Sequence, residues 1–444
     1  MIEVLGNRTY RHLFFAQLVA LVGTGLATVA LGLLAYELVG KDAGTVLGTA
    51  LAIKMVAYVL VAPLAGAYAN RLPRRALLVA LDVARLTVVL LLPWVNQVWQ
   101  IYVLIFVLQS CSAAFTPTFQ ATIPEVLPEE ADYTKALSLS RLAYDLENLL
   151  SPALAAALLA VVTYHGLFLG TAVGFLGSAL LVVSVALPQV PAEALKTSIR
   201  RKLTSGVRIY LATPRLRGLL ALTMAAAAGS AMVIVNTVVI VRGGFARPDS
   251  AVAIALAAFG AGSMLMAFVL PKLLERRSDR GVMLAGGAGL TLGLVGLALI
   301  WPSLAATVRW SALLVDWFVL GMAYSALVTP SGRLLRRSSH EVDRPALYAA
   351  QFSLSHACWL LAYPLVGWLG ARAGIPSALW VMAGLAAVGV TAALWLWPKD
   401  DNERLHHTHD ALPADHPHLL EYGPEGQHAH TFVIDDLHTR WPTR

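Results

Sequence analysis

The residues most able to do chemistry in this sequence are ionisable side chains within long apolar stretches. Lys54 stands in LAIKMVAYV and His356 in SLSHACW. A charge at the centre of a membrane costs at least about 2.5–3.5 kcal/mol, so such residues are functional candidates. Carboxylate and imidazole groups suit both a divalent cation and an exchanging proton. By this criterion the candidate residues for a site at membrane depth are Lys54, Asp145, Glu147, Asn236, Asp316 and His356.

Some of these charges have neighbours that could neutralise them. Asp145 lies one helical turn from Arg141, and Asp82 lies three residues before Arg85, so both pairs could be structural. We favour that interpretation for Asp82 and Arg85. Glu147 is two residues from Asp145, or about 200° around a helix, so the two acids cannot line one cavity wall of a regular helix. A site at the membrane centre would therefore use one of them, together with His356 and Asp316.

The last 45 residues form a second candidate site because eight of the twelve histidines lie there. The spacings HHTH, HPH and HAH place imidazoles within chelating reach, and His-rich tracts of this kind are typical of metal binding. Without a thiolate, such a tail favours Ni²⁺, Co²⁺, Zn²⁺ or Cu²⁺. The candidate metal ligands are His406, His407, His409, His416, His418, His428, His430 and His438.

The rest of the tail is polar, which bears on whether it folds. Nine acids against three arginines give residues 400–444 a net charge of −6. A segment of this composition buries little apolar surface, so we expect it to be largely disordered without metal. The alternative is a solvated tail in which FVIDDL docks on the rest of the chain as a strand or helix.

Composition determines the class of the whole chain. Hydrophobic residues make up 58% and charged residues 13% of it, whereas soluble domains have roughly 45–50% and about 25%. Cys111 and Cys358 lie inside apolar runs, which excludes a disulfide framework. The first apolar stretch has no small-residue cleavage site behind it, so we expect it to persist as the first helix. No nucleotide-binding loop, metalloprotease motif or nucleophile elbow is present, so we do not expect an enzyme.

The elements that position these residues are twelve apolar spans, which predict an all-α membrane protein. Each span is separated from the next by Gly, Pro or charged residues. The predicted spans are 13–38, 45–68, 76–94, 99–117, 137–161, 167–187, 217–241, 251–271, 282–301, 310–329, 346–370 and 376–397.

The charges of the connections predict the orientation. Most of the arginines and lysines follow spans 2, 6, 8 and 10, whereas the alternate connections hold only Lys41, Arg242, Arg247, Arg309 and Arg372. By the positive-inside rule the first set is cytoplasmic, so a multi-pass protein of the cell (inner) membrane with both termini in the cytoplasm is expected. The high pI of 9.5 then reflects topology and contact with membrane lipid, and nucleic acid is not an expected partner.

An internal repeat divides the spans into two halves. Pro117 and Pro330 are 213 residues apart, and Pro152 and Pro364 are 212 apart. Such a repeat is typical of transporters that move two halves around a site near the membrane midplane. The predicted boundaries are a first six-helix bundle (1–188), a connecting segment with an amphipathic helix (189–216), a second six-helix bundle (217–398) and the tail (399–444).

The turn after span 2 carries the most specific motif. GAYANRLPRR resembles the G-x-x-x-D-R-x-G-R-R signature of the major facilitator superfamily, with Asn in place of Asp and Pro in place of Gly. The resemblance covers about residues 10–398 and implies alternating access. The motif arginines are then a gate between the halves, although positive-inside charge alone would also place them there. The gating residues implied by the resemblance are Gly66, Asn70, Arg71, Arg74 and Arg75.

The twelve spans with a His-rich end resemble bacterial nickel-resistance exporters of this superfamily. The resemblance implies export of a divalent metal (Ni²⁺ or Co²⁺) as substrate, exchange for protons, no tightly bound cofactor and a monomer. The alternative is a multidrug or siderophore exporter, which Lys54 and the stretch AFTPTFQATIPEVLPEE favour. A metal sensor that does not transport is disfavoured because no output domain follows span 12. The lining of the cavity distinguishes the two exporters, since metal requires clustered carboxylate and imidazole.

Overall fold

A computed structural model gives the architecture of the chain. The residues that it describes are 2–68, 73–129, 132–133, 136, 139–140, 143, 151, 153–187, 199–303, 306–340, 343–399, 404–408, 427–435 and 437–442.

Long helices account for nearly all of the described chain. They are α1 (Arg8–Val39), α2 (Ala43–Tyr68), α3 (Arg74–Leu91), α4 (Val98–Val126), α5 (Tyr164–Val183), α6 (Ile199–Ala212), α7 (Pro214–Val238), α8 (Asp249–Arg276), α9 (Asp279–Ile300), α10 (Ala306–Val328), α11 (Ser331–Arg337), α12 (Arg344–Arg372) and α13 (Gly374–Leu396). Short 3-10 turns lie at Ile2–Gly6, Gly40–Asp42 and Leu92–Trp94, and a π-helical turn follows α7 at Val239–Gly244. Two strands end the chain, β1 (Arg404–Thr408) and β2 (Gln427–Thr431).

The prediction of an all-α membrane protein is confirmed. Ten stretches of the described chain are long and apolar enough to cross a membrane, and the first of them, Arg8–Val61, contains both α1 and most of α2. Eleven of the twelve predicted spans therefore correspond to a described helix. Predicted span 5 (137–161) lies largely outside the described residues.

The predicted end of span 4 at Pro117 is wrong, because α4 continues to Val126. Proline is tolerated in a membrane helix where side chains and neighbouring helices satisfy the carbonyl groups that it frees. Threonine hydroxyls add hydrogen bonds to the helix close to the proline, since Thr118 donates to the Ala114 carbonyl at 2.9 Å and Thr122 donates to the Thr118 carbonyl at 2.9 Å.

The outer surface of the bundle is apolar, as a lipid-facing surface must be. Tryptophans stand out at the helix ends, where Trp94 after α3 is 82% exposed and Trp395 in the last turn of α13 is 86% exposed. Tryptophan is enriched at the two membrane–water interfaces, so these residues indicate where the hydrocarbon region ends on either side.

The Asp82–Arg85 pair joins three helices of the first half. Arg85 forms an ion pair with Asp82 on α3, and Asp82 accepts a hydrogen bond from Ser178 of α5 at 2.7 Å. The guanidinium of Arg85 lies 4.2 Å from the ring centre of Phe115 and 4.6 Å from that of Phe175. With both charges buried and partnered, the pair stabilises the packing of the first half.

The two halves meet most closely where α2 packs antiparallel against α12. Thr45 donates to the Gly367 carbonyl at 3.3 Å. A Cβ atom added at Gly48 would lie 2.4 Å from the Tyr363 carbonyl oxygen, and one added at Gly367 would lie 2.1 Å from that of Gly44. Only glycine permits these approaches. We call Gly44, Gly48, Tyr363 and Gly367 the glycine seam.

The seam lies at one end of the bundle, which we call the distal end because it is opposite the arginine-rich turns. Those turns mark the basic end, where Arg74, Arg215, Arg280 and Arg337 lie. The N-terminal turn also lies at the basic end, since Asn7 donates to the Val126 carbonyl at 3.5 Å. The C-terminal tail lies there too, since Trp441 packs 5.4 Å from the guanidinium of Arg215. Because α2 and α12 are in close backbone contact at the glycine seam, the structure is closed at the distal end.

The expectation of a largely disordered tail is wrong for the described part of it. After β2, Phe432, Val433 and Ile434 are 2, 5 and 1% exposed, and Phe432 and Ile434 belong to the main apolar core of the bundle. Average composition concealed this short apolar run, which suffices to anchor the chain. We call residues 432–435 and 437–442 the docked segment. It corresponds in position to the alternative in which FVIDDL docks, but residues 432–435 form neither a strand nor a helix.

A compact turn within the docked segment centres on Asp435. Its Oδ1 accepts hydrogen bonds from the backbone of Leu437 at 2.8 Å and of His438 at 2.6 Å, and lies 3.0 Å from His438 Nδ1. Its Oδ2 lies 3.4 Å from Nε2 of His340, in the turn between α11 and α12. Burial acts to raise the pKa of Asp435, but these hydrogen bonds outweigh burial and hold the pKa well below its usual value.

Replacing Asp435 with alanine is expected to release the docked segment. A depressed pKa in the folded state stabilises docking above the carboxyl group's ordinary pKa of about 3.9, and that stabilisation is lost as the pH falls below it. At neutral pH, chymotrypsin should therefore cut after Phe432 at least about tenfold faster in Asp435→Ala. In the wild type, pepsin cleavage should rise as the pH falls below about 4. Asp410→Ala, elsewhere in the tail, should cleave like the wild type; equal cleavage of both variants would contradict the docking role of Asp435.

Candidate functional site

Lys54 lies at the junction of the two halves, at mid-height in α2. Its Nζ atom is 5.9 Å from the ring centre of Tyr58, one turn further along α2. The Tyr58 ring stacks on His356 of α12, with ring centres 5.4 Å apart and planes 9° apart. Phe352 completes the group, with its ring centre 4.0 Å from that of His356. We call Lys54, Tyr58, Phe352 and His356 the interhalf cluster.

Hydrogen bonding fixes which nitrogen of His356 carries a proton in the neutral ring. Nδ1 lies 2.6 Å from the carbonyl oxygen of Phe352. Because a carbonyl oxygen only accepts, Nδ1 must donate. Nε2 is then the basic nitrogen, and it can bind a proton or a hydrogen-bond donor. The sequence predicted Lys54 and His356 as separate candidates, and the fold brings both to Tyr58.

A small cavity within the first half adjoins Lys54. Its volume of about 20 Å³ has room for about one water molecule. Besides Lys54, its polar lining comes from α1 and α4, and Leu51, Leu108 and Phe175 are among its apolar lining residues. The polar residues are Thr24, Thr28, Gln109 and Ser112.

The polar groups of this cavity offer mainly acceptor positions. Thr24, Thr28 and Ser112 donate their hydroxyl protons to backbone carbonyls one turn earlier, at 2.9, 3.1 and 3.0 Å. Their oxygen lone pairs stay available. The Oε1 atom of Gln109 is buried and has no hydrogen-bond partner among the described residues. A buried acceptor of this kind costs free energy unless a hydrogen-bond donor reaches it, and the cavity has room for one water molecule to do so.

Asn236 lies at the distal closure, away from the cluster. It is fully buried on α7, and its Nδ2 donates to the Val366 carbonyl of α12 at 3.3 Å. A Cβ atom added at Gly44 would lie 3.0 Å from the Oδ1 atom of Asn236, and one added at Gly370 would lie 2.4 Å from the same atom. Asn236 thus packs where α2, α7 and α12 converge beside the glycine seam.

Asp316 lies between α9 and α10. A Cβ atom added at Gly293 would lie 3.2 Å from its Oδ1, and Leu320, one turn along α10, packs on the same glycine. Its Oδ2 is buried without a hydrogen-bond partner among the described residues. The next residue, Trp317, points to α7 instead and donates to Thr237 at 2.8 Å. The structure therefore places Asp316 on the side of α10 that faces α9, and it is not part of the interhalf cluster.

The acids of predicted span 5, Asp145 and Glu147, lie outside the described residues, as does Arg141. Their assignment to the site stays a prediction.

The gating motif is described in part. Gly66 lies in the last turn of α2, whereas Asn70 and Arg71 are outside the described residues. Arg74 forms an ion pair with Glu125 at the end of α4, and Arg75 donates to the Val183 carbonyl at the end of α5. These contacts of Arg74 and Arg75 link helix ends within the first half.

The second half contains a related element that sequence reasoning missed. Asp279, at the start of α9, is 5% exposed and accepts from Arg337 at 3.0 Å, with Arg333 at 3.4 Å. Both arginines lie on α11. Asp279 and Arg280 stand 209 residues after Asn70 and Arg71, so the repeat offset could have revealed the match. The acid that the first half lacks is present here, and it ties α9 to α11.

The predicted metal ligands of the tail fall into three groups. His406, His407, His428 and His430 lie in the two strands. His438 is buried against Phe432 and hydrogen bonded to Asp435, whereas His409, His416 and His418 are outside the described residues. Among the side chains that the structure describes, no group of three or more metal-ligating residues comes together.

Comparison with known proteins agrees with this architecture. A family model described as Major Facilitator Superfamily matches residues 13–308 and, in an overlapping second match, residues 221–423. An uncharacterized MFS-type transporter of Bacillus subtilis (strain 168), YfiS, is 30% identical over 125 residues. That alignment covers 28% of this chain and spans 30% of the relative.

Solved structures of transporters share the fold. A variant of the nucleoside transporter NupG has a TM-score of 0.67 at 13% identity, covering 88% of this chain and 100% of the other. A POT family transporter in complex with 5-aminolevulinic acid has a TM-score of 0.66 at 11% identity, covering 88% and 95%. A bacterial metal transporter has a TM-score of 0.59 at 14% identity, covering 88% and 98%. With family matches that extend over most of its length, the chain belongs to the major facilitator superfamily.

Proposed function

We propose that this secondary transporter exports a small organic solute that carries an aromatic ring and an anionic or carbonyl group. The observation that carries the proposal is the position of Lys54, at mid-height between the aromatic rings of Tyr58 and His356 and a cavity of hydroxyl and amide groups. An ammonium group attracts an anionic acceptor, and the stacked rings offer a flat apolar surface to a ring of the solute.

The described lining favours this solute over a metal ion. The polar residues that line the cavity are an ammonium, an amide and three hydroxyls. A divalent ion would instead require clustered carboxylate and imidazole, and Lys54 would repel it. The lining therefore supports an organic solute ahead of a metal ion, which is the reverse of the order that the sequence suggested.

Proton exchange has a natural carrier in His356. Its Nδ1 is engaged by a backbone carbonyl, and the basic Nε2 lies in a cluster that both halves build. Protonation of Nε2 would add a second cation beside Lys54, so proton and solute affinities would be coupled. Export follows if the basic end faces the cytoplasm, as the positive-inside rule predicts. The distal closure by the glycine seam then makes this a conformation that awaits solute from the cytoplasm.

Transport in proteoliposomes tests the proposal. Purified protein would be reconstituted with the anionic aromatic dye carboxyfluorescein, with Ni²⁺ or with Co²⁺, and with or without a proton gradient. Gradient-dependent movement of the dye but not of the ions is the expected result. Movement of the ions alone would contradict the organic substrate.

Export of Ni²⁺ or Co²⁺ is the second candidate, and the histidines of the tail favour it. A His-rich segment at the basic end would raise the local concentration of ions at the mouth of the pathway. Asp145 and Glu147 would then have to supply the carboxylates that the described cavity lacks. Unchanged tolerance of cells to nickel and cobalt after deletion of the gene would argue against this candidate.

A further inference from the structure

The two strands of the tail order the histidines in a way that their sequence spacing alone does not. β1 and β2 are antiparallel, with position 407 opposite 428, 405 opposite 430, and 406 opposite 429. Successive positions of a strand alternate between the two faces, and opposite positions share a face. His407, His428 and His430 therefore share one face of the hairpin with Leu405, and His406 occupies the other face.

The spacing on the shared face suits a metal ion. Opposite positions of an antiparallel pair have Cβ atoms about 4.5–5.5 Å apart, and alternate positions of one strand are about 6.6 Å apart. Three imidazoles arranged around one point, with water as the fourth ligand, form a known tetrahedral site for divalent ions. HHTH, in contrast, cannot act as one chelating unit here, because His406 and His407 alternate in face.

The hairpin is held at both of its outer ends, so its register is defined before any ion binds. β1 follows α13 and the fully buried Trp397 after only a short connection, and Leu405 packs against the main apolar core of the bundle. β2 runs directly into the docked segment, which begins with buried Phe432. Anchored ends lower the ordering cost that a disordered chelator would bear on binding.

We propose that His407, His428 and His430 form a binding site for a divalent ion of borderline softness, such as Zn²⁺ or Co²⁺, on one face of the tail hairpin. The site contains no thiolate, which disfavours Cu⁺. It lies outside the helices that build the interhalf cluster, and it binds its ion whatever solute the transporter carries.

Titration of the full-length protein in detergent with Co²⁺ tests the site, because the visible absorption of Co²⁺ reports its coordination. Threonine replaces each histidine, since threonine removes the ligand and retains a high strand propensity. His407→Thr, His428→Thr and His430→Thr are each expected to weaken Co²⁺ binding about tenfold or more. His406→Thr is the matched control, because it changes the adjacent position of the same strand on the opposite face. Its affinity is expected to stay within about twofold of the wild type.

Two results would overturn the proposal. In one, His406→Thr weakens binding as much as His407→Thr, as a disordered chelator would require. In the other, the triple variant of positions 407, 428 and 430 keeps the wild-type affinity. Chymotrypsin cleavage after Phe432 that is as slow in the metal-free variants as in the wild type shows that the docked segment is retained. No transport is measured, so failure here is independent of failure of the organic substrate.

Discussion

Transport is expected to fall at least about tenfold when Gly48 is replaced by leucine. A Cβ atom at this position would lie 2.4 Å from the Tyr363 carbonyl oxygen, which is backbone and cannot rotate away. α2 and α12 must then separate along the glycine seam, and the distal closure is lost. Alternating access needs a state closed at each end, so a protein that cannot close distally cannot complete the cycle.

The effect can be separated from general damage to a helix. Gly384, in the middle of α13, has no atom within 4 Å of the position of an added Cβ. Gly384→Leu therefore changes the helix propensity as much as Gly48→Leu does, but it causes no steric clash. This variant should transport like the wild type. The seam itself can be monitored through Thr45→Cys, which should react faster with a membrane-impermeant thiol reagent when Gly48 is leucine. Wild-type transport by Gly48→Leu would show that the seam does not close the pathway.

Replacing Lys54 with methionine is expected to weaken dye binding about 10- to 100-fold, which corresponds to the loss of one charge-assisted hydrogen bond. Methionine keeps an unbranched apolar side chain beside Tyr58 and removes only the ammonium group. Lys54→Arg should restore part of the affinity, since it restores the cation. Binding of carboxyfluorescein to the purified protein is the measurement, with transport in proteoliposomes beside it.

The sign of the Lys54→Met effect distinguishes the two candidate substrates. A cation near the pathway repels Ni²⁺ and Co²⁺, so removing it should increase their transport if these ions are the substrate. Lys272→Met provides the control, because Lys272 is exposed near the end of α8 and its removal changes the net charge equally. Equal loss in both variants would assign the effect to net charge and would contradict a role for Lys54 in binding.

Features that depend on nearby residues could be predicted from the sequence. The apolar spans gave the fold class, and the spacing of Asp82 and Arg85 gave their ion pair, because three residues in a helix place the two side chains together. The end of α4 was missed because proline was taken to stop the helix, whereas proline is tolerated inside a membrane helix. Asp279 was missed because the repeat was measured on prolines and was not extended to the acid of the charged turn.

Features that depend on which helices become neighbours could not be predicted. Lys54 and His356 each stood out in an apolar stretch, but their meeting at Tyr58 depends on the packing of α2 against α12. Gly48 and Gly367 gave no signal, since glycine is frequent in membrane helices. The sequence identified Asp316 as a candidate because it is an acid within an apolar span. It did not predict that Asp316 faces α9.

The connecting helix α6 packs on α12, and this has a practical consequence for dividing the protein. A Cβ atom at Gly206 would lie 2.1 Å from the Ala346 carbonyl oxygen, and Tyr210 donates to Gln351. Burial raises the pKa of Tyr210, so its phenol keeps the proton that it donates. α6 thus belongs structurally to the polypeptide that follows it. Two separately encoded fragments, 1–198 and 199–444, should assemble when produced together, whereas a break after Ala212 would strip the C-terminal fragment of a surface it needs.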